Sequence, residues 1–195
     1  MKKVLLIASI LFVAVVSTAC INNLAVQDLN NKAKAYADKG DYTQAIERLK
    51  SSIDLDPSVF ETHYNLATVY SQSQDYANAV EEYKKVIQMK PDMADSYYSL
   101  ATTQNNLAVN IEQGHIRMAD DNSLYTVKPE DILAEDKIQL TDDEKEMVSE
   151  LYEASIENYE KYLELNPAAS DKTDVETQIE KIKKYLNPEG ISDKD

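Results

Sequence analysis

The sequence predicts an all-α chain, and three observations carry that prediction. The first is self-similarity at a shift of 34 residues. Ala33, Ala67 and Ala101 fall on one another, as do Tyr36 and Tyr70, Asp41-Tyr42 and Asp75-Tyr76, Ile53 and Ile87, and Pro57 and Pro91. The second is composition. A chain of 195 residues with only 3 Gly and 5 Pro has too few turn formers for a sheet-rich protein, while 43% hydrophobic residues suffice for a core. The third is a series of helix-start signals, described below, each placed just ahead of an apolar periodic stretch.

The elements follow in chain order. Met1-Lys2-Lys3 is basic, Val4 to Val16 is apolar except for Ser9, and Ser17-Thr18-Ala19 is small, with the single Cys, Cys20, directly behind. A basic start, a short apolar stretch and a small-residue exit predict a signal peptide over 1–19. The apolar run is shorter than the roughly 20 residues of a membrane span. Residues 20–25 are expected to be anchor and short linker. Repeats follow over 26–59 and 60–93. A further shift of 76 brings Tyr76 onto Tyr152, Val80 onto Ile156, Tyr83 onto Tyr159 and Pro91 onto Pro167. A third repeat therefore spans 94–167 and carries 42 extra residues, near 108–140.

Lys39-Gly40 predicts a helix stop with Asp41 as the next N-cap, and Asp75 is its counterpart one repeat on. Ser58-Val59-Phe60-Glu61, Thr141-Asp142-Asp143-Glu144 and Thr173-Asp174-Val175-Glu176 read as capping boxes. The second of these predicts a helix over 142–165. The third predicts a final helix with Val175, Ile179, Ile182 and Leu186 on one face, capping the array over 168–186. Leu100, Gln104, Leu107 and Ile111 keep helical spacing into the insertion, and Lys128-Pro129-Glu130-Asp131 reads as a short helix start. The insertion has apolar residues of its own, including Ile116, Met118, Leu124, Val127, Ile132 and Ile138. It is expected to fold back over a groove or along one edge. Residues 187–195 are expected to be a flexible tail. Most of the 13 Tyr fall inside repeat helices and are expected to pack there.

A 34-residue period with these residues resembles the tetratricopeptide repeat (TPR), a helix–turn–helix unit. The resemblance implies an α-solenoid of such repeats. Ala33, Ala67 and Ala101 let the second helix of each repeat approach closely, against Ala45, Ala79 and Ser155. It further implies a concave groove lined by the first helices, where extended peptides or partner helices bind. On this chain the groove residues are Asn30, Asn31, Lys34, Tyr64, Asn65, Thr68, Tyr98, Thr102 and Asn105, a mostly uncharged polar strip with two Tyr. Some family members clamp a C-terminal carboxylate with Lys, Asn and Arg. Asn65 matches that pattern, whereas Asn30, Lys34, Asp95 and Ser99 depart from it, so no such clamp is expected. The N-terminal segment resembles the bacterial lipoprotein signal, with Thr18-Ala19-Cys20 matching and Ser17 standing where an aliphatic residue is usual. That resemblance implies cleavage before Cys20 and a lipid on its sulfur. An ordinary signal peptide cut nearby, or an uncleaved anchor, is the alternative reading.

Charge and residue counts exclude several function classes. The formal net charge is −15, which disfavours a phosphate backbone, so no nucleic-acid partner is expected. Removal of residues 1–19 takes Lys2 and Lys3 and no acid, leaving 18 basic against 35 acidic residues, a net of −17. One Cys and two His cannot form an intramolecular disulfide or an ordinary His/Cys zinc site. There is no phosphate-binding glycine loop and no nucleophile–base pair, with His63 at a packing position and His115 in the insertion. No catalytic residue, metal or cofactor is expected. The sequence thus predicts a lipid-anchored lipoprotein on the exported side of a bacterial cell envelope, acting as a protein–protein interaction scaffold or adaptor. A structural subunit of an envelope assembly, such as secretion, pilus or outer-membrane machinery, is the alternative.

Overall fold

The computed structural model describes residues 22–132 and 138–188. The expected signal segment 1–19, Cys20, Leu133 and the tail from 189 lie outside the described residues. The chain divides into two compact units, Met1–Ser73 and Gln74–Asp195.

The first unit holds α1 (residues 22–37), α2 (Tyr42–Leu55) and α3 (Phe60–Gln72). Helix already covers 22–25, where a linker is expected. Gly40 closes α1 at φ 76°, the left-handed conformation that glycine adopts without a Cβ penalty. The equivalent turn one repeat later is made by Gln74 at φ 64°. Asp41 caps α2 by accepting from the Gln44 N–H at 3.2 Å. The Ser58 capping box does not form. Val59, which has no polar side chain, is the N-cap of α3, and the Ser58 hydroxyl donates to Asp56 Oδ1 at 2.6 Å instead. Short polar side chains have local turn partners that compete with helix capping. The unit's core is built on Val26, Ala33, Ala45, Leu49, Leu66 and Ala67, all buried.

The second unit holds α4 (Tyr76–Met89), α5 (Ala94–Glu112), β1 (Ile116–Met118), β2 (Leu124–Thr126), a 3-10 turn (Pro129–Asp131), α6 (Asp142–Leu165) and α7 (Lys172–Leu186). Asp75 caps α4 and Thr141 forms its reciprocal box with Glu144. The Thr173 box does not form, since α7 starts two residues earlier, with Asp171 at the N-cap. Val175, Ile179 and Ile182 are buried as their spacing predicts. The α5–α6 pair repeats the hairpin logic: Ala101 and Ser155 are both fully buried, and the Ser155 hydroxyl donates to the Ala101 carbonyl at 2.9 Å.

The repeat is not chemically uniform. Thr62 and Ser52 are buried together and bonded, but one repeat later the same positions hold Ser96 and Val86. Ser96 is fully buried and its hydroxyl has no hydrogen-bond partner. Ser96→Ala should therefore be neutral or stabilise by up to about 1 kcal/mol in urea unfolding, because an unsatisfied buried hydroxyl is removed. A loss above 1 kcal/mol would show that the hydroxyl is bonded in solution.

The insertion forms an antiparallel hairpin, with Arg117 opposite Tyr125 and Asn122 at φ 64° in its turn. It seats on the end of α5 and the start of α6. Ile116 is buried, and Arg117 grips Glu144 through Nε at 2.6 Å and Nη2 at 2.9 Å. Glu144 is 1% exposed and also accepts from the Met118 and Thr141 backbone N–H groups. The Pro129 start predicted in the insertion is a single 3-10 turn. No helix among the described residues is long and apolar enough to cross a membrane.

Candidate functional site

Two adjoining cavities open between α1 and α3 in the first unit. One, of about 560 Å³, lies at the N-terminal ends of both helices and is lined by Asn23, Val26, Gln27, Asp56, Val59, Glu61 and Thr62. The other, of about 490 Å³, lies toward their C-terminal ends, with Ala33, Lys34, Ala37, Leu49, Thr68, Val69 and Gln72 among its walls. Asn30, Asn31 and Asn65 line both, so the two form one trough. The second cavity has an apolar floor, with the buried Ala33 of α1, Leu49 of α2 and Val69 of α3 among its lining.

The amides of this trough divide into two groups. Asn30 is committed to the protein. Its Nδ2 reaches the Val26 carbonyl at 2.9 Å, Ser52 Oγ at 2.9 Å and Thr62 Oγ1 at 3.0 Å, and its Oδ1 accepts from Asn65 Nδ2 at 2.9 Å. Asn30 is thus a packing residue and not the free groove amide the sequence predicts. The physical reason is that α2 and α3 bring two buried hydroxyls to it, and a buried hydroxyl needs a partner. Among the described residues, the exposed Asn31 side chain makes no hydrogen bond, and the Asn65 side-chain carbonyl oxygen accepts none. Lys34 is exposed and paired with Asp38 at 3.2 Å. The Thr68 hydroxyl donates to the Tyr64 carbonyl at 2.9 Å, the usual back-bond of a helical threonine.

In the second unit the predicted groove residues are more fully engaged. Tyr98 is 38% exposed and its ring lies 5.8 Å from that of Tyr159 and 5.2 Å from that of Tyr162. Thr102 is bonded to the Tyr159 hydroxyl at 3.0 Å, and Asn105 accepts from Gln178 of α7 at 3.4 Å. Burial raises the Tyr159 phenol above its ordinary pKa, and the Thr102 bond opposes that shift. Thr102 and Asn105 are therefore tied to α6 and α7, contrary to their expected role as open binding groups. Nothing in the local sequence of α5 announces this, since the partners lie 57 and 73 residues away.

A second polar cluster was not foreseen. Glu112 accepts hydrogen bonds from Tyr152 at 2.6 Å and from Tyr185, whose rings lie 4.9 Å apart. Burial, then the Glu112 carboxylate, push the Tyr185 phenol up to about 12 and raise Tyr152 further. Both phenols stay protonated and donate across the working pH range, so the cluster fastens α7 to α5 and α6. Among the described residues no group of His, Cys, Asp and Glu is placed to hold a metal ion. His63 is buried, with Nε2 3.1 Å from the Pro57 carbonyl, as its packing position predicts.

Known proteins share this geometry. The family model described as TPR repeat matches residues 33–74, and the one described as Tetratricopeptide repeat matches 60–93. No curated protein matches the chain. Among solved structures, the first TPR of Spaghetti (RPAP3) bound to HSP90 peptide SRMEEVD has a TM-score of 0.56 at 17% identity, covering 84% of this chain and 94% of that one. The second TPR domain of the human RPAP3 protein, in complex with HSP70 peptide SGPTIEEVD, has a TM-score of 0.56 at 15% identity, covering 83% and 98%. The Sgt2 TPR domain from Aspergillus fumigatus has a TM-score of 0.56 at 17% identity, covering 87% of each chain. Residues 33–93 match tetratricopeptide-repeat models, and the fold of the chain is the all-α, helical-hairpin fold of TPR domains.

Proposed function

We propose that the chain is a lipid-anchored adaptor of the bacterial cell envelope, exported, held at the membrane through Cys20, and binding a peptide or helix of a partner protein in the α1/α3 trough. The single observation that carries the binding reading is the pairing of unspent amides with an apolar floor. Asn31 and the Asn65 carbonyl can hold a peptide main chain, while the Leu49-floored cavity takes a side chain. TPR domains that bind HSP90 and HSP70 peptides share the fold, which supports a peptide as the class of ligand. The anchor rests on the Thr18-Ala19-Cys20 resemblance and on the acidic body, which would stand off anionic headgroups unless tethered.

The two parts are tested separately. A photo-crosslinking side chain placed at Asn31 should capture a partner in membranes, while the same group at Glu153, exposed on α6, should not. Asn31→Ala should weaken binding of that partner by about fivefold to tenfold, since one hydrogen bond to the partner's main chain is worth about 1 kcal/mol, with melting unchanged. Asn30→Ala is the contrasting variant. It strands buried hydroxyls and should lower stability by about 1–3 kcal/mol. Equal capture from both crosslinking positions would sink the trough reading. A free thiol at Cys20 in the mass of the N-terminal peptide would refute the anchor.

A further inference from the structure

Building on the trough as the binding site, we infer that its occupant is an extended segment with a basic side chain at the Asp56/Glu61 end and an apolar side chain in the Leu49-floored cavity. The argument is one of complementarity. Among the described residues, the 560 Å³ cavity is bordered by the Asp56 and Glu61 carboxylates and by no cation. Bonds from the Ser58 hydroxyl and N–H to Asp56 Oδ1, at 2.6 and 2.9 Å, hold that carboxyl below the usual carboxylate range and leave Oδ2 for a ligand. Glu61 is exposed in the first turn of α3.

The remaining charges do not offset these two. Among the described residues, Lys34 is the one ammonium lining either cavity, and it is paired with Asp38. A ligand carrying carboxylates thus meets repulsion, and one carrying an ammonium or guanidinium meets attraction. The floor of the other cavity is Ala33, Ala37, Leu49 and Val69, with Asn31, Asn65 and Gln72 at its rim, so an apolar side chain enters and the rim bonds its main chain. The two cavities are centred between six and seven helical residues apart, about 10 Å at 1.5 Å per residue. Extended chain at about 3.3 Å per residue covers that in three to four residues. The fitting segment has Lys or Arg and then Leu, Ile or Met three or four residues away.

The full chain in detergent can be titrated with three labelled eight-residue peptides. One has Lys-Lys at one end and Leu four residues on. The second has Gln in place of both Lys. The third is built on the acidic SRMEEVD sequence. The basic peptide should bind about tenfold more tightly than the Gln peptide at low salt, with the advantage falling to about twofold near 0.5 M salt. The acidic peptide should bind more weakly than either. Glu61→Gln should remove about threefold of the advantage without moving the melting temperature, because the side chain is exposed. Equal binding of the basic and Gln peptides, with both weakened by Asn31→Ala, overturns the charge preference and leaves the trough standing. Binding unaffected by Asn31→Ala overturns the trough reading as well. No binding of the basic peptide at about 1 mM, roughly −4 kcal/mol, overturns the inference outright.

Discussion

Arg117→Ala should lower the unfolding free energy by about 3 kcal/mol, which moves the melting temperature of a chain this size by roughly 6–12 °C. The cause is the partner it leaves behind. Glu144 is 1% exposed and sits under the insertion hairpin, with Arg117 bonded to both its carboxylate oxygens. Removing one member of a buried pair leaves a charge with neither water nor counter-ion, a situation that costs about 3–5 kcal/mol. The lower end applies because the Met118 and Thr141 N–H groups still donate to Glu144. Hydrogen exchange should show protection retained at those two amides. The double variant Arg117→Met with Glu144→Gln should recover part of the loss, since no buried charge remains. A loss below 1 kcal/mol for Arg117→Ala would mean that water reaches Glu144 in solution.

The same pair sets an acid limit. Burial by itself raises the Glu144 pKa, but the bonds from Arg117, Met118 and Thr141 outweigh it and hold the carboxyl below its ordinary value. A carboxyl with a lowered folded pKa stabilises the fold above its unfolded value, near 4.3, and that stabilisation is lost as pH falls through the folded value. The urea midpoint should therefore fall as pH drops from about 5 toward 3. Arg117→Ala should flatten that part of the profile. An unchanged profile in the variant would remove Glu144 from the account.

Leu49→Ala should be the second most damaging change, about 3 kcal/mol, within the 2–5 kcal/mol range for deleting a buried Leu. Leu49 is 1% exposed and lies between Ala33 of α1 and Val69 of α3 at the floor of the trough. Ala33, which lines the same cavity, and Ala45, one turn back on α2, are already methyl-sized, so neither can fill the hole. The helix backbones would have to close on each other for the site to collapse. Guanidinium unfolding with an unchanged m-value and a lowered midpoint checks this. A change under 1 kcal/mol would show that the trough collapses freely and is not a preformed cavity.

Much of the architecture follows from local sequence. Asp41, Asp75 and Thr141 cap helices because each has a compatible N–H within three residues. Val175, Ile179 and Ile182 are buried because their spacing makes one stripe. The Ser58 and Thr173 boxes fail for a reason pattern matching does not see. Each motif had a competitor: a turn carboxylate for Ser58, and a helix beginning two residues earlier for Thr173. The hairpin of the insertion was not legible, since strands of three residues carry too little alternation to be recognised.

The candidate site divides along the same line. The repeat register alone placed Asn30, Asn31, Lys34, Tyr64, Asn65, Thr68, Tyr98, Thr102 and Asn105 on the first helices, and all nine are helical. Which of them face an opening with capacity to spare was decided by residues far away in sequence. Ser52 and Thr62 consumed Asn30, Tyr159 took Thr102, and Gln178 took Asn105. The sequence determined the all-α class, the 34-residue hairpin unit and the face each residue lies on, because these depend on neighbours three or four positions apart. Tertiary structure alone decided the hydrogen-bond partners, the Arg117–Glu144 latch and the trough, because a buried polar group takes whatever partner packing delivers to it.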